Sequence, residues 1–271
     1  MSVLKRSLWM AGSVALAAGS ASASSTYILQ DGNSETRIDP LSSAGQYDWL
    51  VDGLDHVAQQ WFWFRIGQTA EQPINVLPVT GGPALIDTNP FDDPRMDTLS
   101  LRYSDDRVQF EPTFVLRGGT AGSNVSDVAE VIRITNLTSE EMHLTFFQYA
   151  DFDLNPGFGL GDSVQVLSAN NVVQTNGLYT MHETIVNPPA TAFEANFFAN
   201  TLNALNDAFA TNLNGNALAG PGDVTWAFQW DFVIPAGATV IVSKDKQLVP
   251  TPGAFALVGA AGALSIRRRR R

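Results

Sequence analysis

Hydrophobic and polar residues alternate along much of this chain with a period of two, the spacing of a strand whose successive side chains face opposite sides of a sheet. Runs of this kind, rich in β-branched and aromatic residues, cover 56–66, 98–103, 107–117, 128–135, 142–151, 163–167, 178–186, 224–234 and 239–243. Turn formers such as Gly118-Gly119, Asn136 to Ser139, Gly215-Asn216 and Pro235-Ala236-Gly237 lie between them. Helical spacing is found over 199–213, where Leu202, Leu205, Ala208 and Phe209 share a face. The pattern predicts an all-β fold, an antiparallel β-sandwich, with one short helix near 199–213 lying on it as a plug or lid.

Two segments sharpen this picture. Trp226, Phe228, Trp230 and Phe232 fall on one face of their strand, as a core requires. Trp61, Phe62, Trp63 and Phe64 are consecutive, so one pair enters the core while the other faces a second layer, a lid or a ligand. Trp61 and Trp63 are thus a candidate aromatic platform for sugar rings, whose apolar faces stack on indoles. Residues 131–135 and 144–149, joined by the polar turn at Asn136 to Ser139, predict an antiparallel hairpin. That phrase resembles those of extracellular bacterial sandwich modules, including the supersandwich of mutarotase-like domains, a likeness that bears on fold more than function.

The two ends read differently from the body. Lys5 and Arg6, an apolar run from Leu8 to Ala18 and the small-residue site Ala21-Ser22-Ala23 predict a secretory signal over 1–23. At the other end Val249-Pro250-Thr251-Pro252 precedes an apolar stretch at 254–266 and five arginines at 267–271. Thirteen apolar helical residues reach about 20 Å, short of the roughly 30 Å hydrocarbon core, so the stretch is a brief hydrophobic stop. The arginines favour the cytoplasmic side.

This order of motif, apolar segment and arginine cluster resembles the PEP-CTERM sorting signal of bacterial surface proteins, with Thr251 standing where the family carries glutamate. The resemblance covers 249–271 and implies Pro250, Thr251 and Pro252 as the sorting motif. It also implies export through the Sec translocon, transient anchoring by the C-terminal segment and processing by an exosortase-type membrane protease. Such proteins reach the cell surface or the exopolysaccharide and biofilm matrix. A single sandwich domain is then expected over 24–248.

Charge narrows the chemistry. Outside the two ends the chain carries nine basic and 27 acidic residues. A surface of that sign repels phosphate backbones and argues against nucleic acid as a partner. The absence of cysteine excludes disulfides, thiolate metal sites and cysteine nucleophiles. The sequence has no nucleophile elbow, zinc-binding His-Glu-x-x-His or phosphate loop. His56, His143 and His182 are isolated, and His182 and Glu183 point to opposite faces of one strand.

No catalytic residue is therefore assigned. Hard cations need oxygen ligands at alternate positions of a tight loop, and Asp151, Asp153, Asn155 and Asp162 supply them in an echo of an EF-hand. Pro156 stands where that loop needs glycine. A second acidic loop runs through Asp92, Asp93 and Asp97. The expectation is an exported, non-catalytic surface or matrix protein with Ca2+ as its candidate cofactor and polysaccharide as a candidate partner. The alternative is a carbohydrate-active or sugar-binding module of mutarotase-like fold.

Overall fold

The computed structural model describes residues 26–154 and 161–251. Their strands in chain order are β1 (Tyr27–Asp31), β2 (Ser34–Asp39), β3 (Gly45–Val51), β4 (Leu54–Asp55), β5 (Gln59–Ile66), β6 (Gln72–Pro73), β7 (Val79–Ile86), β8 (Thr98–Ser104) and β9 (Val108–Gly118). They continue as β10 (Ser126–Asn136), β11 (Met142–Asp151), β12 (Asp162–Ser168), β13 (Asn171–Thr175), β14 (Tyr179–Asn187), β15 (Ala192–Phe197), β16 (Leu218–Gly222), β17 (Val224–Ile234) and β18 (Thr239–Pro250). They form two nine-stranded sheets. The first runs β1-β2-β3-β5-β11-β17-β15, with β4 beside β3 and β6 beside β5. The second runs β16-β12-β13-β14-β18-β10-β9-β8-β7. Pairing is antiparallel apart from a short parallel contact between β3 and β5.

The predicted sandwich is present, and aromatic rings fill the space between its sheets. Phe62, Phe64, Phe146 and Trp230 from the first sheet meet Phe110 and Phe114 from the second, all buried. Ring centroids lie 4.7 Å apart for Phe64–Phe110, 5.6 Å for Phe62–Phe146 and 5.7 Å for Phe146–Trp230. These separations suit tilted and offset rings, which add to the burial of their area. One glycine is obligatory here. Gly45 has φ +57°, and a Cβ placed on it would fall 2.2 Å from the Trp61 ring.

The hairpin expected from 131–149 does not form. β10 lies in the second sheet and β11 in the first, so the polar turn carries the chain across the sandwich. The last crossing, from β17 to β18, passes beside it, and Asn136 ties the two together. Its buried Nδ2 donates to Glu140 O at 2.7 Å and Ile234 O at 2.9 Å, and its backbone N–H donates to Ala238 O at 3.0 Å. A buried amide with that many carbonyl partners fixes the crossing, because each of those carbonyls would otherwise be stranded away from water.

The helix is shorter than its periodicity predicts. α1 spans Asn200–Leu205 and then stops. Asp207 Oδ1 accepts the Phe209 N–H at 2.7 Å, turning the chain, and Phe209 faces solvent instead of the core. The rest of the segment crosses the outer face of the first sheet as an extended strap. It is why β11 is buried on both faces along most of its length.

Candidate functional site

Ionised side chains occupy the middle of the sandwich, where none was expected. Lys244 and Lys246 on β18 face inward between Glu130 on β10 and Glu183 on β14, and all four are buried. Register explains the grouping: Glu130 pairs with Lys244 and Glu183 with Lys246 across neighbouring strands. Each lysine Nζ touches one oxygen of Glu130. Lys246 also donates to Gln60 Oε1 at 3.2 Å, and Lys244 Nζ lies 3.5 Å from Glu183 Oε1. The other Glu183 oxygen accepts from Gln148 Nε2 at 2.7 Å and from the Trp226 indole N–H at 3.1 Å. Two positive and two negative charges leave the cluster neutral, the condition under which buried ions are tolerated.

Burial acts on these groups unevenly. It pulls the Lys244 ammonium down to about 8, Glu130 opposing the shift. Lys246 feels the same burial but ends raised, because the Glu130 and Glu183 carboxylates outweigh it. Burial raises Glu130 while the two lysines lower it further, so it is held below the usual carboxylate range. The strand expected over 239–243 ends before either lysine. Continuing its period of two from Val242 through Lys244 and Lys246 to Leu248 points both lysines inward.

The acidic loop is placed at one end of the sandwich. Asp151 ends β11, Asp162 begins β12, Asp153 lies between them, and Asp223 joins them from the turn before β17. Asn155 lies outside the described residues. Burial, then Asp223 and Asp153, pushes Asp151 up to about 7, and burial with Asp223 also raises Asp153. Asp162 is buried and its Oδ2 accepts from Leu154 N–H at 3.0 Å and Gln174 Nε2 at 2.5 Å. That oxygen is therefore engaged with those two amides. Among the described residues, three carboxylates come within 4.8 Å of one another at Asp31, Asp92 and Asp93. There Asp93 is bound by Arg95, while Asp97 has turned away to accept from the Thr88 N–H and hydroxyl.

The aromatic platform is corrected. Trp61 and Trp63 are both 0% exposed, so neither offers a face to a ligand. Trp61 donates its indole N–H to Asn75 Oδ1 at 3.0 Å, and Trp63 donates to Asn206 Oδ1 at 3.1 Å beneath the strap. Arg65 holds the strap down. Its buried guanidinium pairs with Glu71, contacts Thr211 O and donates to Asn212 Oδ1 at 2.8 Å.

Beside this pair a hollow of about 320 Å³ opens to solvent, lined by Arg65, Gln68, His143, Thr145, Asn212 and Asp231 among others. Asp231 accepts from Thr145 Oγ1 at 2.8 Å and from Gln229 Nε2 at 3.1 Å. His143 is exposed and 3.6 Å from Glu141. The other histidines are elsewhere. His56 is buried against Tyr179, bonded to Leu154 O at 2.8 Å and lowered by burial to about 4. His182 stands on the opposite face of β14 from Glu183, as alternation requires.

The first residues of the expected sorting motif lie inside the fold. Pro250 ends β18 opposite Tyr179, and the Thr251 N–H donates to Leu178 O at 2.8 Å. Pro252 and the apolar stretch lie outside the described residues. Among the described residues no helix is long and apolar enough to cross a membrane.

No protein-family profile matches the sequence. No curated protein matches it either. Solved structures do. A bacterial glucoamylase complexed with acarbose is similar over 83% of this chain at 8% identity with a TM-score of 0.53. This chain spans only 31% of that enzyme's length. The Slr1438 protein from Synechocystis sp. PCC 6803 is similar over 83% of this chain and 96% of its own, at 9% identity and a TM-score of 0.55. A galactose mutarotase-like protein from Lactobacillus casei ATCC 334 aligns over 83% of this chain and all of its own, at 8% identity and a TM-score of 0.49. At such identities the first two likenesses concern the fold alone.

Proposed function

We propose that this is an exported, non-catalytic surface or matrix protein, a sandwich presented outside the cell after its C-terminal signal is processed. The observation that carries the non-catalytic reading is the filled interior: the carboxylates and lysines buried there are committed to one another, and no histidine reaches them. Export rests on the two ends of the sequence, with Pro250, Thr251 and Pro252 as the motif for an exosortase-type protease. Calcium is proposed as a stabilising ion at the acidic end of the sandwich, where Asp151, Asp153 and Asp223 repel one another.

The test is the intact mass of protein recovered from the producing cell's surface or medium, with calcium titrated into its thermal unfolding. Loss of 1–23 and of residues after about 249, with calcium raising the melting temperature, supports the proposal. Retention of the arginine tail with no response to calcium overturns both parts.

The hollow at Arg65, His143, Thr145 and Asp231 favours a second reading, a sugar-binding or carbohydrate-active module. Its polar lining from several segments suits hydroxyl groups. Calorimetric titration with neutral and acidic oligosaccharides decides it: binding abolished by Asp231→Ala supports this reading, and no heat from any of them removes it.

A further inference from the structure

Three buried atoms in the charge cluster are left without a hydrogen bond: Lys244 Nζ, Glu130 Oε2 and Glu183 Oε1. They face one another. Lys244 Nζ is in contact with Glu130 Oε2, yet not in the geometry of a hydrogen bond, and Glu183 Oε1 is 3.5 Å from the same nitrogen. The remaining groups are arranged around this trio. Lys246 holds Glu130 Oε1, and Gln148 with Trp226 holds Glu183 Oε2. An ammonium and two carboxylate oxygens meeting out of hydrogen-bond geometry and away from bulk water is a costly state, and breaking any one pair would leave an uncompensated charge.

We propose that Lys244 and Glu130 condense to an intramolecular amide joining β18 to β10, with Glu183 carrying the proton and Lys246 polarising the reacting carboxyl. Nζ bonds to Cδ of Glu130, and the Cδ–Oε2 bond breaks. The ammonium gives up two of its three protons, one by way of Glu183 Oε1, and they leave with Oε2 as water. No oxidant or cofactor enters the balance.

The product resolves all three unsatisfied atoms. Oε2 departs, Nζ becomes an amide nitrogen, and its remaining hydrogen faces Glu183 Oε1. Oε1 becomes the amide carbonyl oxygen and keeps its donor, Lys246. One positive and one negative charge disappear from the interior, leaving Lys246 and Glu183 as a neutral pair in register on adjacent strands. Burial favours both stages. It holds the Lys244 amine closer to its neutral, nucleophilic form, and it keeps out the water that would reverse the reaction. Lys246 serves as the charge opposite the developing oxyanion. Lys244 is the nucleophile rather than Lys246, because Lys246 is engaged by Gln60 as well as Glu130 and is held charged. The tie would fasten β18, the strand that leads directly into Thr251, independently of where the protein is sent.

Mass spectrometry of the purified, denatured full chain tests this. The expected result is a mass lower by one water than its termini require. Trypsin is expected not to cut after Lys244, and fragmentation is expected to locate a branched peptide joining Glu130 to Lys244. Glu183→Gln is expected to retain the full mass and the cut after Lys244 while keeping a folded far-ultraviolet spectrum. Full mass in the wild-type protein overturns the proposal whatever the variant does. So does a water loss that maps to the Asp31-Gly32 or Asp52-Gly53 sequences, where aspartate cyclises, or a branch at Lys246.

Discussion

Replacing Asp151 with asparagine should stabilise the protein at alkaline pH and leave it unchanged in acid. The carboxyl is 4% exposed, and burial with Asp223 and Asp153 raises it from 3.8 to about 7. Below about pH 4 the group is protonated in folded and unfolded chains alike, and its contribution is fully retained. As pH rises from 4 to 7 the unfolded chain releases the proton while the folded chain holds it, so stability falls. Above 7 the loss is complete. At 1.36 kcal/mol per pKa unit the bound is about 4 kcal/mol, and relaxation of the neighbouring acids brings the expected value to about 2–4 kcal/mol. Asparagine mimics the protonated acid and removes this slope. Urea unfolding in chelator, compared at pH 4 and pH 8, measures it. The gap between variant and wild type should be within about 0.5 kcal/mol at pH 4 and reach the full figure at pH 8. A gap that does not change with pH, or a variant less stable at pH 8, refutes the reasoning. If calcium sits beside Asp151, adding it at pH 8 should narrow the gap by stabilising the wild type alone.

Three further outcomes follow from the buried groups. Lys246→Met leaves a surplus negative charge beside Glu183 and should cost about 3–5 kcal/mol in urea unfolding, part of which the double variant Lys246→Met/Glu183→Gln recovers by restoring neutrality. Arg65→Met strands Glu71 beneath the strap and should cost a similar amount, about 3–5 kcal/mol, with faster hydrogen exchange at the Thr211 and Leu213 amides. Trp61→Ala should lower stability by about 3–5 kcal/mol, as removal of a core indole does, and leave any saccharide affinity of the folded protein unchanged.

Strand content was legible wherever alternation placed large apolar residues on at least one face. β11 and β17 begin and end where their patterns do, because Met142 to Asp151 and Val224 to Ile234 are bounded by turn residues. β1, β2 and β3 were missed. Ser34-Glu-Thr-Arg-Ile-Asp39 buries Ser34, Thr36 and Ile38, and small hydroxyl residues do not announce an inward face. The alternating apolar pattern ends at Ser243, short of the end of β18 at Pro250, because Lys244 and Lys246 face inward only by meeting carboxylates delivered by β10 and β14. The acidic loop at Asp151 was visible as composition, but its partner Asp223 comes from a turn some seventy residues away.

Local chemistry alone determined the sandwich class, the direction in which Trp226, Phe228 and Trp230 point, and the opposition of His182 to Glu183. These follow from the two-residue period of a strand, which every neighbouring pair of side chains must obey. Tertiary structure decided whether a polar turn doubles the chain back or carries it to the opposite sheet, since Asn136 serves either course until Ile234 and Ala238 are beside it. It also decided that both aromatic pairs of β5 are buried: the strap held by Arg65 and Glu71 covers Trp63, while Asn75 and Tyr103 meet Trp61. Above all it decided that four charges share the core. A charge enters a protein interior only when its counter-charge arrives with it, and that meeting depends on the register of three strands distant in sequence.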